Sequence, residues 1–190
     1  MSGIGSRKTF SRGEGAERRA RTVNYNDRML ALRYASLLAL VVWVGGLLAL
    51  GAIAAPVTFD VIATRHVPEG RVLAGAIFGV ILRQFQYVSY ACGVVLGLAL
   101  SARAVLGPRP RRFALRLAMA AVMLLAVLYS GFVVAPRIEA LQHTIGVAPS
   151  SLPDGDPRRV EFGRLHGLST GIQLVPLLGG LLLLFHELKD

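Results

Sequence analysis

The chain has 190 residues, 54% of them hydrophobic, with a single cysteine and a formal net charge of +10. The lone Cys92, set in an apolar run, excludes a disulfide framework, a paired-cysteine redox centre and a cysteine-based metal site. A positive excess of this size points either to nucleic acid or to a membrane surface, and the placement of the charges decides between them.

Residues 1–28 are polar, rich in Gly, Ser and Arg, and without apolar periodicity. Such a stretch cannot bury a core, and it is expected to be a disordered basic tail. Residues 29–56 follow, with no charged side chain between Arg33 and Asp60. An apolar run of roughly 20 residues suffices to cross a bilayer, and in lipid the backbone must satisfy its own hydrogen bonds, so a spanning helix is expected. The run is too long for the apolar core of a cleaved signal peptide, so it is read as an uncleaved anchor.

A polar connection then leads to a long helical pattern over residues 71–106, interrupted by Arg83, Gln84 and Gln86. It is longer than a bilayer requires, and divides into an amphipathic extension over 71–84 and a span over 85–106. Gly107-Pro108-Arg109-Pro110 breaks the chain before a third span over 114–136. A turn-rich connection follows. Asp156 ahead of Pro157 has the signature of an N-cap and first helical turn, and it opens a last helix whose spanning part is 164–186. The fold expected is all-α, an integral membrane four-helix bundle over 29–190.

Charge asymmetry sets the expected topology. Fourteen basic residues lie in the tail, the 103–116 connection and the C-terminus, and seven lie in the other connections, where six acids offset them. The positive-inside rule therefore puts both termini in the cytoplasm, as an even number of spans requires. The charge is topogenic, the cell's inner (plasma) membrane is the expected location, membrane lipid is the expected partner, and nucleic acid is not.

Projection at 100° per residue gives small-residue stripes on the first two spans. Gly45 lies in line with Ala49, Ala52 and Pro56, while Gly93 and Gly97 lie in line with Gly75, Gly79, Gln86 and Tyr90. These glycines, with Pro56 and Pro136 ending or kinking two helices, are expected to form the packing seam. A ligand face, or a homodimer face, would show the same spacing. Near the far ends of the spans, Gln86 and Tyr90 lie at a depth comparable with His166, Ser169 and Gln173 on the last helix. That placement predicts a polar cluster centred on His166, serving either as a small-ligand pocket or as a hydrogen-bonded plug.

The motifs Trp43-Val44-Gly45-Gly46, Ala55-Pro56 with Phe59, Gly70-Arg71 with Gly75 and Phe78, Ala135-Pro136-Arg137-Ile138, and Phe162 with Leu165-His166-Gly167-Leu168-Ser169 occur in order along 29–185. In this the chain resembles the transmembrane-protein-205-like family, a four-helix membrane domain of unknown function. Gln173 stands where that pattern has an asparagine-like position, and the basic tail is no part of it. The resemblance implies the four-helix fold and no settled activity.

The leading expectation for function is a non-enzymatic module, either a small transport or channel-like unit or an accessory subunit. The alternative is a haem-, quinone- or lipid-binding protein, with Arg71, Arg83, Arg137 and Arg159 receiving anionic headgroups in the lipid case. Haem needs axial ligands on facing helices, and only His166 falls within an apolar helix. The cofactor is left unassigned, and a homo-oligomer or a membrane-protein partner is left open.

Overall fold

The computed structural model describes residues 12–65, 67, 69–107 and 112–189, with side chains from Asn24 onward. Those residues build an all-helical protein with four helices long and apolar enough to cross a membrane: Asn24–Thr64, Gly70–Leu106, Phe113–Ile145 and Pro157–Leu188. The first is composed of α1 (Arg12–Ala49), a π-helical turn (Leu50–Ala54) and α2 (Ala55–Thr64). The second is α3 (Gly70–Leu106). The third joins α4 (Phe113–Tyr129) through a second π-helical turn (Ser130–Val134) to α5 (Ala135–Ile145), and the fourth is α6 (Pro157–Leu188).

Helix starts earlier and ends later than composition suggests. Of the expected disordered tail, residues 1–11 lie outside the described residues, but the chain is helical from Arg12 onward. Nucleation is the costly step in forming a helix, and a long membrane helix supplies the nucleus. The long helical pattern expected over 71–106 is α3, one continuous helix of 37 residues, about 55 Å long.

Neither Pro56 nor Pro136 ends its helix. Proline lacks an N–H and its ring collides with the carbonyl four residues back. Here the chain widens by one residue in the turn before each proline. The Ala55 N–H bonds to the Leu50 carbonyl and the Ala135 N–H to the Ser130 carbonyl, five residues back in each case. Each proline then sits in the first turn of a new α-segment, where its missing N–H costs nothing. The two π-turns occur in matching motifs, Gly51-x-x-x-Ala55-Pro56 and Gly131-x-x-x-Ala135-Pro136, 80 residues apart. The first and third spans are thus built alike.

Each helix packs against its sequence neighbours, and the first closes the ring against the last. The core between them is apolar and fully buried: Leu40, Trp43, Leu96, Leu100, Met123, Val127 and Leu183. Outward-facing Leu38, Val41, Leu98, Leu125 and Leu181 are exposed, as lipid contact requires. Beyond the π-turns, α2 packs chiefly on α3 and α5 on α6, so the far end is two hairpins rather than a closed ring. The α6 C-terminus lies beside Arg33 of α1 and Arg103 of α3, which places the start of the first span and the end of the last at one end of the bundle, called here the terminal end.

Candidate functional site

Four groups from two spans meet where α3 crosses the second π-turn. Gln86 and Tyr90 project from one face of α3, four residues apart and therefore one above the other. Opposite them, Ser130 and Gly131 belong to the π-turn, and Ser130 is buried. Gly131 is required by close approach. A Cβ there would stand 3.1 Å from Gln86 Oε1 and would collide with the Tyr90 hydroxyl. Tyr90 stacks on Phe132 with ring centroids 5.8 Å apart and meets Tyr87 edge-on at 6.2 Å. Gln86 is buried, yet neither its amide nor the Tyr90 hydroxyl is hydrogen-bonded to another described residue. The result is a small polar recess at the neck of the far end.

No hydrogen bond among the described residues ties the His166 arm of the expected cluster to Gln86 or Tyr90. His166 is exposed and stacks on Phe162, centroids 5.9 Å apart with planes 10° from parallel. Its carbonyl accepts a hydrogen bond from the Thr170 hydroxyl at 3.0 Å. Ser169 and Gln173 are half-buried and make no hydrogen bond to Gln86 or Tyr90 among the described residues. Gln86 and Tyr90 are therefore brought together with the third span, and His166, Ser169 and Gln173 remain on the fourth. The described histidines lie apart from one another. His66 lies outside the described residues, His143 is exposed, and His166 and His186 lie 20 residues apart on α6, about 30 Å along its axis.

Of the glycines singled out for packing, Gly93 sits at a close contact, where a Cβ would be 2.8 Å from Leu124 and 3.2 Å from Trp43. Gly45 is exposed, and Gly97 likewise has open space beside its Cα. Close approaches are made instead by Gly46 on Phe85, Gly179 on Met123 and Gly180 on Val44. Trp43 fills the centre of the bundle, and its indole nitrogen has no hydrogen-bond partner among the described residues.

The far end carries polar groups of a different kind. Arg83 and Glu139 pair at 3.1 Å between α3 and α5 with about half of each side chain exposed. Arg71 donates to the Ser150 hydroxyl at 3.1 Å, tying α3 to the loop before α6. Asp156 caps α6 as its sequence signature indicates, accepting the Arg158 N–H at 2.8 Å. The Arg158 guanidinium and N–H together hold the Asp156 carboxyl below the usual carboxylate range.

A second constellation, which the sequence reading did not find, closes the terminal end. Glu187 of α6 is fully buried, and Arg103 of α3 donates to both its carboxylate oxygens at 2.8 and 3.0 Å. Arg116 of α4 reaches Glu187 Oε1 at 3.3 Å and the His186 carbonyl at 3.1 Å. Arg33 of α1 donates to the Glu187 carbonyl at 2.7 Å. Every span thus contributes one charged side chain to a single layer. Two of the arginines also satisfy carbonyls in the last turn of α6, the negative end of its dipole. The available signal was helical spacing: Pro176, Gly180, Leu183 and Glu187 share a face, as do Cys92, Leu96, Ala99 and Arg103. Both faces prove to be buried.

Four apolar spans, a dry core between two polar layers and lipid-facing leucines define a multi-pass helical membrane protein. Within that class, the chain belongs to the family built on a domain of unknown function, DUF4149, whose model matches residues 38–146. The matched stretch holds the Trp43–Gly46 and Ala135–Ile138 motifs and both π-turns, but neither Leu165–Ser169 nor Glu187. No curated protein and no solved structure matches the chain.

Proposed function

We propose that the protein is a non-enzymatic membrane module of the accessory-subunit kind, which holds or positions a polar group at the Gln86–Tyr90–Gly131 recess and does not conduct along its axis. One observation carries this reading. Between the recess and the charged layer at the terminal end, the axis is filled by Leu40, Trp43, Leu96, Met123 and Val127, all fully buried. A conducting path needs polar groups or a water-filled cavity to stand in for hydration along its length. The recess in turn has the amide of Gln86 and the hydroxyl of half-buried Tyr90, neither hydrogen-bonded to a described residue, so both are open to a bound polar group.

The charge asymmetry supports an orientation in the plasma membrane with both termini cytoplasmic, so that the recess lies toward the outer face. The transmembrane-protein-205-like resemblance is kept within this reading on the motifs that carry it.

Potassium flux through proteoliposomes tests the proposal. The parent protein is expected to pass no more potassium than empty vesicles. In mild-detergent extracts of its native membrane it is expected to migrate as part of an assembly larger than the purified protein. A potassium flux that the parent supports and Gln86→Leu abolishes would establish a conducting path and overturn the reading. Migration as the isolated chain in such extracts would overturn the accessory role.

A further inference from the structure

The terminal end holds more cation than its buried acid engages. Glu187 takes Arg103 and Arg116 on its carboxylate, and Arg33 turns to the Glu187 carbonyl. One turn nearer the termini, Arg28 is exposed and makes no ion pair with a described residue. Beside it a groove of about 240 Å³ runs between α1 and the end of α3, lined by Asn24, Tyr25, Arg28, Met29 and Leu106. Its form is held by Gly107, because a Cβ there would lie 2.5 Å from the Tyr25 hydroxyl and 2.6 Å from Met29 Cε. The groove has a polar mouth of Asn24, Tyr25 and Arg28 over an apolar base.

Depth gives the groove its meaning. Arg83 and Arg103 are 20 residues apart on α3, and Arg116 and Arg137 are 21 apart on the third span. Both separations correspond to about 30 Å of helix, the thickness of a bilayer's hydrocarbon core. The charged layer therefore marks one edge of the hydrocarbon, and the groove one turn beyond it lies at the level of lipid headgroups. On α3 the groove's own Leu106 and its neighbour Val105 are exposed apolar side chains, Val105 at 83% exposure.

From this we infer that the groove seats the headgroup of an anionic phospholipid from the leaflet on the side of the termini. Arg28 meets its phosphate, Asn24 and the Tyr25 hydroxyl hydrogen-bond its polar oxygens, and the acyl chains run past Met29, Leu106 and Val105. Charge complementarity argues for this occupant. Among the described residues, Arg33 one turn further along α1 bonds a carbonyl rather than a carboxylate, and its charge adds to that of Arg28. The acid nearest Arg28 in sequence, Asp27, is about 100° further round α1. The inference is independent of the recess at the far end and of whether the protein conducts.

The test uses the full chain in detergent, with dioleoyl phosphatidylglycerol, dioleoyl phosphatidylcholine and inorganic phosphate as probes. Native mass spectrometry should show phosphatidylglycerol bound in preference to phosphatidylcholine, and only phosphatidylglycerol should raise the melting temperature. One arginine at a lipid surface is worth about fivefold in affinity, so Arg28→Gln should weaken phosphatidylglycerol binding by about that factor. Its lipid-free melting temperature should stay that of the parent, because Arg28 is exposed. Arg83→Gln, at the far end, should bind as the parent does. Equal retention of phosphatidylcholine, or unchanged binding by Arg28→Gln, would overturn the assignment. So would an equal melting shift from inorganic phosphate, which would make the groove a site for the free anion.

Discussion

At the terminal end of the bundle, Arg103, Arg116 and Glu187 are within 9% of complete burial, and each makes two or more hydrogen bonds within the layer. At the far end, Arg83 and Glu139 form an equally short pair with 54% and 51% of their side chains exposed. The two ends thus use the same chemistry in different surroundings. Taking ions out of water is expensive and leaves each one dependent on its partner, whereas exposed ions lose little when a partner is removed because water replaces it. The closed terminal end depends on its charges. The far end, split into two hairpins above the π-turns, does not.

The largest test of that contrast is Glu187→Ala. It leaves two guanidinium groups facing each other without their carboxylate, and it should cost about 3–5 kcal/mol. Thermal unfolding in detergent should show a large drop, with Glu187→Gln falling between this variant and the parent. If Glu187→Ala melts like the parent, the layer is solvated and the contrast between the ends is lost.

The middle of the bundle separates the two regimes and is tested by a pair of glycines. Gly93→Leu drives a side chain into Trp43 and Leu124 and should destabilise by about 1–3 kcal/mol, the usual cost of overpacking. Gly97→Leu meets open space and should stay within about 0.5 kcal/mol of the parent. Equal melting temperatures for the two would place Gly93 on the lipid face.

The smallest effect is expected at the far end. Glu139→Ala removes the exposed pair with Arg83 and should cost no more than about 1 kcal/mol. That cost should disappear in high salt, where exposed pairs are screened. A loss approaching that of Glu187→Ala, or one insensitive to salt, would mean that the far end is closed and dry in the membrane.

What composition and periodicity determined about this protein are the features that depend on the solvent alone. A bilayer forces each long apolar run into a helix, so the number of spans, their order and the Asp156 cap were readable in the chain. The pairing of Gln86 with Tyr90 was also readable, because i,i+4 neighbours share a helix face whatever the helix packs against. Which helix those residues meet was not. Relative rotation of two helices is set by how their ridges interlock, and it put Gly131 opposite Gln86 while leaving His166 on an outer face. The π-turns escaped a reading that treats proline as a terminator, because a chain held on both sides by packed helix widens by one residue instead of stopping. The Glu187 layer was decided by tertiary structure alone. Arg33, Arg103, Arg116 and Glu187 are far apart in sequence and each suits a solvated helix end. Only the closing of the ring removes their water and makes them partners.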